Sequence, residues 1–474
     1  MATSDTTVAA AAATPAATAT NSLKPKVLIV GAGIAGLTMA ILLHKADIPF
    51  EIFERTSTIK ALGSALTLGV NIIPLFKQMG IYDDFVAEGK PFREILAFNE
   101  QQELIISMDM KPLVEMGGDE GYVISRPDLQ GLLMRHVPAE RVHMGQRVES
   151  IQQDEHGVKI IFADGTSHQG DILVGADGAH SVVRKDLYQQ LKEDKKLPAS
   201  DEEPMPFNYT CLVGQTRPLD PEEYPQVTDP LSQFNSILGE NYYTWATFTT
   251  KNNTICWMVA YYIPNQSNGT KNNNDSNNHC ESDWGPDAAQ AMCNKVRDFV
   301  MPSVTKTSKT MGDLIDQTPK ELVSKVVLEE KVFDTWHAGR TVLIGDACHK
   351  FTPAGGQGAI NAIQDTVALA NWIHALPSMS LQDIDHAFQE YKAERYPNSV
   401  AAYNNGQMLE KCTEKSFLGA VARVVMKHMP RWLLMMELRI MAKHRPQVAF
   451  LPLIEDQGTV KPAYQASLHK TRRA

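Results

Sequence analysis

The sequence predicts an α/β chain: a Rossmann-like parallel-sheet domain, interrupted by an inserted antiparallel β-sheet and followed by a helical C-terminal region. Three observations carry this. Val27-Leu28-Ile29-Val30 is a short apolar, largely β-branched run that leads through Gly31-Ala32-Gly33-Ile34-Ala35-Gly36 into a small-residue helix. Residues 207–214, 242–250 and 254–263 are rich in aromatic and β-branched residues without a helix between them, which implies antiparallel strands. The chain after Ser378 reads as helical.

Each glycine of the first motif has its own physical task. Gly31 allows the tight turn, Gly33 lets the backbone approach a pyrophosphate, and Gly36 lets the helix pack close to the strand. Phosphates would sit at the helix N-terminus, where free N–H groups and the positive dipole end favour an anion. A second strand, Phe50-Glu51-Ile52-Phe53, ends in Glu54. That carboxylate lies where ribose hydroxyls are bound, roughly 20 residues after the glycines. A carboxylate there favours a free ribose 2′-hydroxyl over a 2′-phosphate, so NADP is excluded from this position and NAD is not.

Further along, the small-residue stretch 61–71 suggests backbone against a ligand, or a plain strand-to-helix connection. Ile72, Leu75, Phe76 and Met79 pattern a short helix that stops at Gly80. Residues 95–115 read as strand pairs with polar turns, and Tyr122–Ser125 as another strand. Pro127 and Asp128 suit a helix start, with Arg126 just before it, placed for an anion, a polar cofactor edge or a surface salt bridge. Residues 141–174 alternate in the β sense. They end in Gly175-Ala176-Asp177-Gly178, with Ser181 as the cap of the next helix. Residues 188–206 form a charged linker, 265–283 an exposed Asn-rich loop, and 287–325 helices.

The second strong motif begins at Val342-Leu343-Ile344, a buried strand ended by Gly345-Asp346-Ala347-Cys348-His349. Pro353 and Gly355-Gly356-Gln357-Gly358 follow, with a helix from about Ala359 to Leu376. Asp346 falls at a strand's C-terminal end, where open α/β sheets bind ligands. The glycines allow a flat ring to approach, and the helix N-terminus offers positive dipole. Cys348 and His349 lack a third ligand or base at a recognisable spacing, so the expected metal count is zero.

The formal net charge of −10 argues against nucleic acid as a partner. None of the six cysteines forms a CxxC, which favours free thiols in a reducing, cytoplasmic compartment. Residues 1–23 are Ala/Thr-rich without the basic residues of a targeting signal, and read as a disordered tail. The stretch 416–443 mixes apolar residues with five cations and contains Pro430. It is too charged to span a bilayer, but its basic amphipathic pattern fits either packing on its own domain or peripheral membrane contact.

Taken together, the Gly31–Gly36 motif with Glu54, the Asp177-Gly178 motif and the Gly345-Asp346 motif resemble the single-component, para-hydroxybenzoate hydroxylase-like group A flavin monooxygenases. The resemblance runs from about Lys26 to Leu376; Leu62-Gly63-Ser64-Ala65-Leu66 and, in the more diverged tail, Phe450-Leu451-Pro452 look most like fungal members that epoxidise or hydroxylate terpenoid intermediates. It implies tight FAD, NAD(P)H as a transient co-substrate, and O2. Oxygen transfer to a hydrophobic or aromatic small molecule would pass through a C4a-hydroperoxyflavin. It implies an FAD-binding domain in three pieces, 24–95, 126–187 and 326–377. Inserted strands lie at 96–125, a substrate domain at 188–325 and the helical region at 378–474. By resemblance, Glu54 binds the adenosine ribose with Arg55 a further cofactor-binding position, Arg126 contacts FAD, and Asp177 and Gly178 belong to a motif serving FAD and NAD(P)H. Asp346 holds the ribityl chain, Gly358 and Ala359 lie along the ring, and Pro353 and Gly356 are further cofactor-binding positions. Thr67 stands where the family is richer in glycine. The substrate would lie between the ring and the sheet carrying Tyr243, Trp245, Trp257 and Tyr261. No catalytic base is assigned. The alternatives are a geranylgeranyl-reductase-type enzyme, a flavin halogenase, whose WxWxIP signature is missing, and a non-catalytic nucleotide-binding regulator.

Overall fold

The computed structural model describes residues 24–59, 63–239, 242–263, 285–304, 307–411 and 430–472. The tail 1–23, positions 61–62, the Asn-rich segment 265–283 and residues 416–429 lie outside the described residues.

Val27–Val30 is buried along its whole length because it lies inside a six-stranded sheet covered on both faces. The strand order is His337–Ala338, Thr341–Leu343, Ile172–Gly175, Val27–Val30, Phe50–Glu54, Val142–Met144. Every neighbouring pair is parallel except the outermost, His337–Ala338 with Thr341–Leu343. Helices Ile34–Lys45 and Gly358–His374 pack on each other, and both contribute to the main core.

A seven-stranded sheet follows the order Ser324–Glu329, Phe207–Gln215, Ile255–Tyr262, Tyr243–Thr249, Phe234–Leu238, Glu94–Phe98, Leu104–Asp109. Its pairs are antiparallel except Phe234–Leu238 with Glu94–Phe98, which is parallel. The hairpin at 94–109 therefore completes a sheet whose other strands all begin at Phe207 or later in the chain. One face packs on helices Pro286–Val296 and Met311–Asp316 through Leu212, Trp245, Trp257 and Val259. The other carries Phe234, Ala246, Phe248, Cys256 and Met258 toward Val123, Leu438 and Ala442.

Several expectations are corrected. Residues Lys111–Gly117 form a helix, since Pro112 at a first-turn position favours a start there. The 188–206 segment is not a linker throughout. Helix Val182–Glu193 runs into it, and Ala199–Glu202 adds a short helix. There Asp201 accepts from the Asp334 and Thr335 N–H groups. The boundary drawn at 325 cuts the edge strand Ser324–Glu329, which belongs to the large sheet. The C-terminal region is helical at Leu381–Lys411, Arg431–Lys443 and Ala466–Thr471, with irregular chain between the last two.

Candidate functional site

Register brings the three motifs together. Val30 pairs with Gly175 and Gly175 with Leu343, while Val30 pairs with Phe53 on its other side. Gly31, Glu54, Asp177 and Gly345 thus leave the sheet at one edge, the carboxyl edge where open α/β sheets bind ligands.

The glycine turn is crowded inward and open outward. Gly31 has φ +105°, and a Cβ there would lie 2.4 Å from the Ala176 carbonyl oxygen. A Cβ on Gly36 would fall 1.9 Å from the Gly31 oxygen, so the helix seats directly on the turn. By contrast, a Cβ on Gly33, Gly178 or Gly358 would meet nothing within 4 Å. This open cradle at a helix N-terminus fits a pyrophosphate. Glu54 closes the turn: one oxygen accepts from Ala32 N–H at 3.0 Å, the other from Thr56 N–H at 3.0 Å and Thr56 hydroxyl at 2.9 Å. A carboxylate has about four acceptor sites, so capacity remains for a ribose. Arg55 is exposed beside it.

Asp177 faces the helix after it. Its carboxylate accepts from the Ser181 hydroxyl and from the Val182 and Val183 N–H groups, at 2.5, 2.6 and 3.2 Å. Burial pushes its pKa up against those bonds. Gly178, at φ +83°, makes the turn. Arg184, 6% exposed, joins this motif to the next by donating to the Ala179 and Ala347 carbonyls. Its guanidinium stacks 4.1 Å from the Phe333 ring centroid.

Asp346 keeps 35% of its side chain open and pairs with Lys350 at 2.6 Å. Burial works against its charge, yet Lys350, His349 and Arg126 hold its pKa below the ordinary value. Gly345 has φ +58°, and a Cβ there would press on Ala362 at 3.1 Å and Ala35 at 3.3 Å. Gly356 is left-handed at φ +61°, and a Cβ on it would lie 3.6 Å from Thr67 Oγ1. Thr67 therefore borders the Pro353–Gly358 loop. Arg126 is exposed, with its stem along Gly63, and its charge is felt at Asp346.

Behind this loop lies a network that the sequence reading missed. Asp365 accepts from Gly345 N–H at 3.0 Å, contacts His349 Nε2 at 2.6 Å and accepts from Arg395 Nε at 2.9 Å. Burial opposes its ionisation, but His349 and Arg395 hold its pKa down. The signal was available: Asp365 is the one charged residue from Phe351 to Ile373. The third group thought absent near Cys348 and His349 is this aspartate, with ligand atoms within 4.8 Å of one another. The set still reads as an ion-pair cluster. Arg395 already supplies the cation, and burial raises the Cys348 thiol pKa far above its usual value.

The aromatics expected over the substrate are placed elsewhere. Tyr243, Trp245, Trp257 and Tyr261 share the helix-backed face of the large sheet. Trp245 Nε1 donates to Val300 O at 2.8 Å and Trp257 Nε1 to Thr318 Oγ1 at 2.9 Å, so their polar tips are satisfied in the core. The face turned away from those helices carries Ala246, Met258, Ala260 and Tyr262. A cavity of about 330 Å³ is lined by Glu88, Pro127, Asp128, Gly131, Arg135 and Asn252, none of them in the glycine loops.

Residues 24–209 and 245–404 match the FAD binding domain family. The chain belongs to that family. It is 30% identical over 405 residues to the FAD-dependent monooxygenase terM of Tolypocladium album, covering 81% of this chain and 78% of that one. Over 402 residues it is 27% identical to the FAD-dependent monooxygenase andE of Emericella variicolor, again covering 81% and 78%. Klebsiella pneumoniae HpxO, solved with FAD and uric acid, aligns with a TM-score of 0.69 at 19% identity. That alignment covers 89% of this chain and 97% of HpxO. CtdE, solved with FAD and its substrate, aligns at 0.66 and 20%, covering 87% and 95%. The protein is thus an FAD-dependent monooxygenase that uses NAD(P)H and O2 to hydroxylate or epoxidise a small molecule. When bound, FAD supplies the hydride-accepting and oxygen-activating chemistry, and the monooxygenase's own residues bind, orient and exclude water.

Proposed function

We propose that the monooxygenase holds the ADP half of FAD across Gly31, Gly33 and Gly36, with the adenosine ribose at Glu54 and Arg55. The ribityl chain runs past Asp346, and the ring lies along Pro353, Gly356, Gly358 and Ala359, bordered by Thr67 and Arg126. Asp177 and Gly178 shape the middle of this groove. The observation that carries the reading is the open row at Gly33, Gly178 and Gly358, at one edge of a sheet whose inner glycines are closed by backbone. The N-terminus of the Gly358–His374 helix would favour negative charge on the reduced ring.

The substrate is a hydrophobic or aromatic small molecule, not a nucleic acid, and lies between the ring and the face carrying Met258, Ala260 and Tyr262. Epoxidation needs no protein base; the chain's task is to orient and to exclude water. Oxygen uptake with NADPH, with and without phenols or prenylated compounds, tests the reaction. Absence of coupling between NADPH loss and oxygen uptake under every condition would overturn it.

The enzyme works in the cytoplasm, where its buried cysteines stay reduced; Cys211, Cys256, Cys293 and Cys348 are free thiols. No described helix is long and apolar enough to cross a membrane. Peripheral contact is supported by the Arg431–Lys443 helix. It buries Leu438 and Ala442 and leaves Trp432, Met436 and Ile440 exposed at one-turn spacing. Sedimentation with anionic vesicles tests this: Trp432→Glu should release the protein, and an unchanged bound fraction refutes the contact.

A further inference from the structure

The sheet face that carries Met258, Ala260 and Tyr262 is graded along its strands, and the following inference rests on the reading that substrate lies against it. Register fixes the rows that cross this face. Cys256 stands opposite Phe248, with Phe234 beyond. Met258 stands between Val213 and Ala246, with Ser236 beyond, and Ala260 stands between Cys211 and Thr244. Residues two apart on a strand share a face, so these rows form one floor.

One end of the floor is closed. Cys256 is 0% and Phe248 5% exposed, in one apolar cluster with Val70, Val123, Leu438 and Ala442. Val123 pairs with Thr67, which borders the Pro353–Gly358 loop, so this cluster adjoins the proposed ring seat. Met258, Ala260 and Tyr262 are half-buried. Past Ala260 the floor ends in phenol rings: the Tyr262 centroid lies 5.2 Å from that of Tyr209 and 5.8 Å from that of Tyr242. The floor thus runs from an aromatic, hydroxyl-bearing end to an apolar, filled one. Met258 stands at the step between them, packed on the rim of the closed cluster. Its row neighbour Ala246 and its strand neighbour Ala260 carry nothing beyond Cβ, so Met258 rises above them as a flexible, unbranched side chain.

We propose that Met258 is a specificity-determining residue. The substrate is an amphipathic molecule that lies along the floor with its polar end toward Tyr262. Its apolar end points toward Phe248 and stops against the Met258 thioether. Met258 thereby sets the length of apolar chain or skeleton that the enzyme accepts.

The test is the affinity of the FAD-loaded enzyme for 4-alkylphenols from ethyl to dodecyl, read from perturbation of the visible flavin band. In the wild type Kd should fall roughly fourfold for each methylene buried, up to a break beyond which longer chains gain nothing. Met258→Ala removes Cγ, Sδ and Cε and should move the break outward by about three methylenes. Met258→Phe should move it inward. Val259→Ala, on the helix-backed face of the same strand, should lower the melting temperature and leave the break in place, which is what a merely structural role for Met258 would also do. A wild-type Kd that falls steadily through dodecyl, with no break, overturns the inference. If Met258→Ala does not fold, an unmoved break in Met258→Phe overturns it instead. Ala260→Leu separates the two readings. An unchanged series in Ala260→Leu overturns the substrate face itself, as does a wild type whose flavin band no alkylphenol perturbs. Weakened binding in Ala260→Leu, together with an unmoved break in the Met258 variants, overturns the present inference alone.

Discussion

Replacing Arg395 with Met should strand a buried charge. Arg395 and Asp365 keep 5% and 0% of their side chains exposed, and the Nε–Oδ1 distance is 2.9 Å. Arg395 also donates to Asn361 Oδ1 at 2.9 Å and to Gln364 Oε1 at 3.3 Å. Removing one partner of such a pair costs about 3–5 kcal/mol, because the other charge stays buried without compensation. At about 1.4 kcal/mol per tenfold, the unfolding constant rises by roughly two to three and a half orders of magnitude. Asp365→Asn should cost a similar amount, since it leaves Arg395 and His349 facing a neutral amide. The double variant should be milder than the sum by at least about 1 kcal/mol, because neither charge is then opposed to an empty site. Urea unfolding followed by far-ultraviolet circular dichroism gives all three values. Additivity within about 0.5 kcal/mol would refute the claim that the two act as one pair. A loss below about 1 kcal/mol in Arg395→Met would refute the claim that the charge is stranded.

Other expectations follow from the site. Gly33→Ala should fold and lose FAD because its Cβ enters open space, whereas Gly31→Ala should fail to accumulate, its Cβ meeting a carbonyl at 2.4 Å; flavin absorbance per folded protein separates them, and a yellow Gly33→Ala protein refutes the cradle. Asp346→Ala should purify depleted in FAD. In the wild type the Asp346 carboxyl is held below its ordinary value, chiefly by Lys350 against burial. Its ion pair is therefore complete above the ordinary carboxylate value of about 3.9 and is lost as pH falls through the lower folded value; in Lys350→Met acid release of FAD should move to higher pH, and an identical release curve refutes the pairing. Trp245→Phe should cost about 1 kcal/mol of stability through the lost bond to Val300 and leave KM unchanged, while Ala260→Leu should raise KM; steady-state kinetics on the two variants checks which sheet face meets substrate.

The sequence carried the cofactor side of the molecule well because its signals are local. The Val27–Val30 strand, the glycine turn and the Ser181 cap each follow from residues within a few positions of one another, and the structure has all three. Ser125 also caps its helix, accepting from Asp128 N–H at 3.2 Å. What stayed hidden was long-range. Alternation in Tyr243–Thr249 separates Tyr243 and Trp245 from Thr244 and Ala246, but it does not say which set meets helices. Both faces of that sheet are apolar, so hydrophobicity gave no handle. Asp365 needed Arg395, thirty positions on, before its burial made sense. The Glu94–Phe98 strand reaches its parallel partner across the whole FAD-side insertion, a pairing no local pattern encodes.

One glycine sets a condition on how the enzyme is made. Gly345 stands where the Ile34–Lys45 and Gly358–His374 helices meet, left-handed at φ +58° and tightly flanked by Ala35 and Ala362. The first wall of the groove is translated early, but the wall that faces it arrives only when Gly345 and the helix beyond it emerge. The salt link that steadies this second wall waits for Arg395. A nascent chain on the ribosome therefore exposes its apolar sheet edge for most of its synthesis. On the proposed site, flavin capture is expected late in synthesis, and the flavin-loaded fraction should rise with the free flavin supplied to the expressing cell.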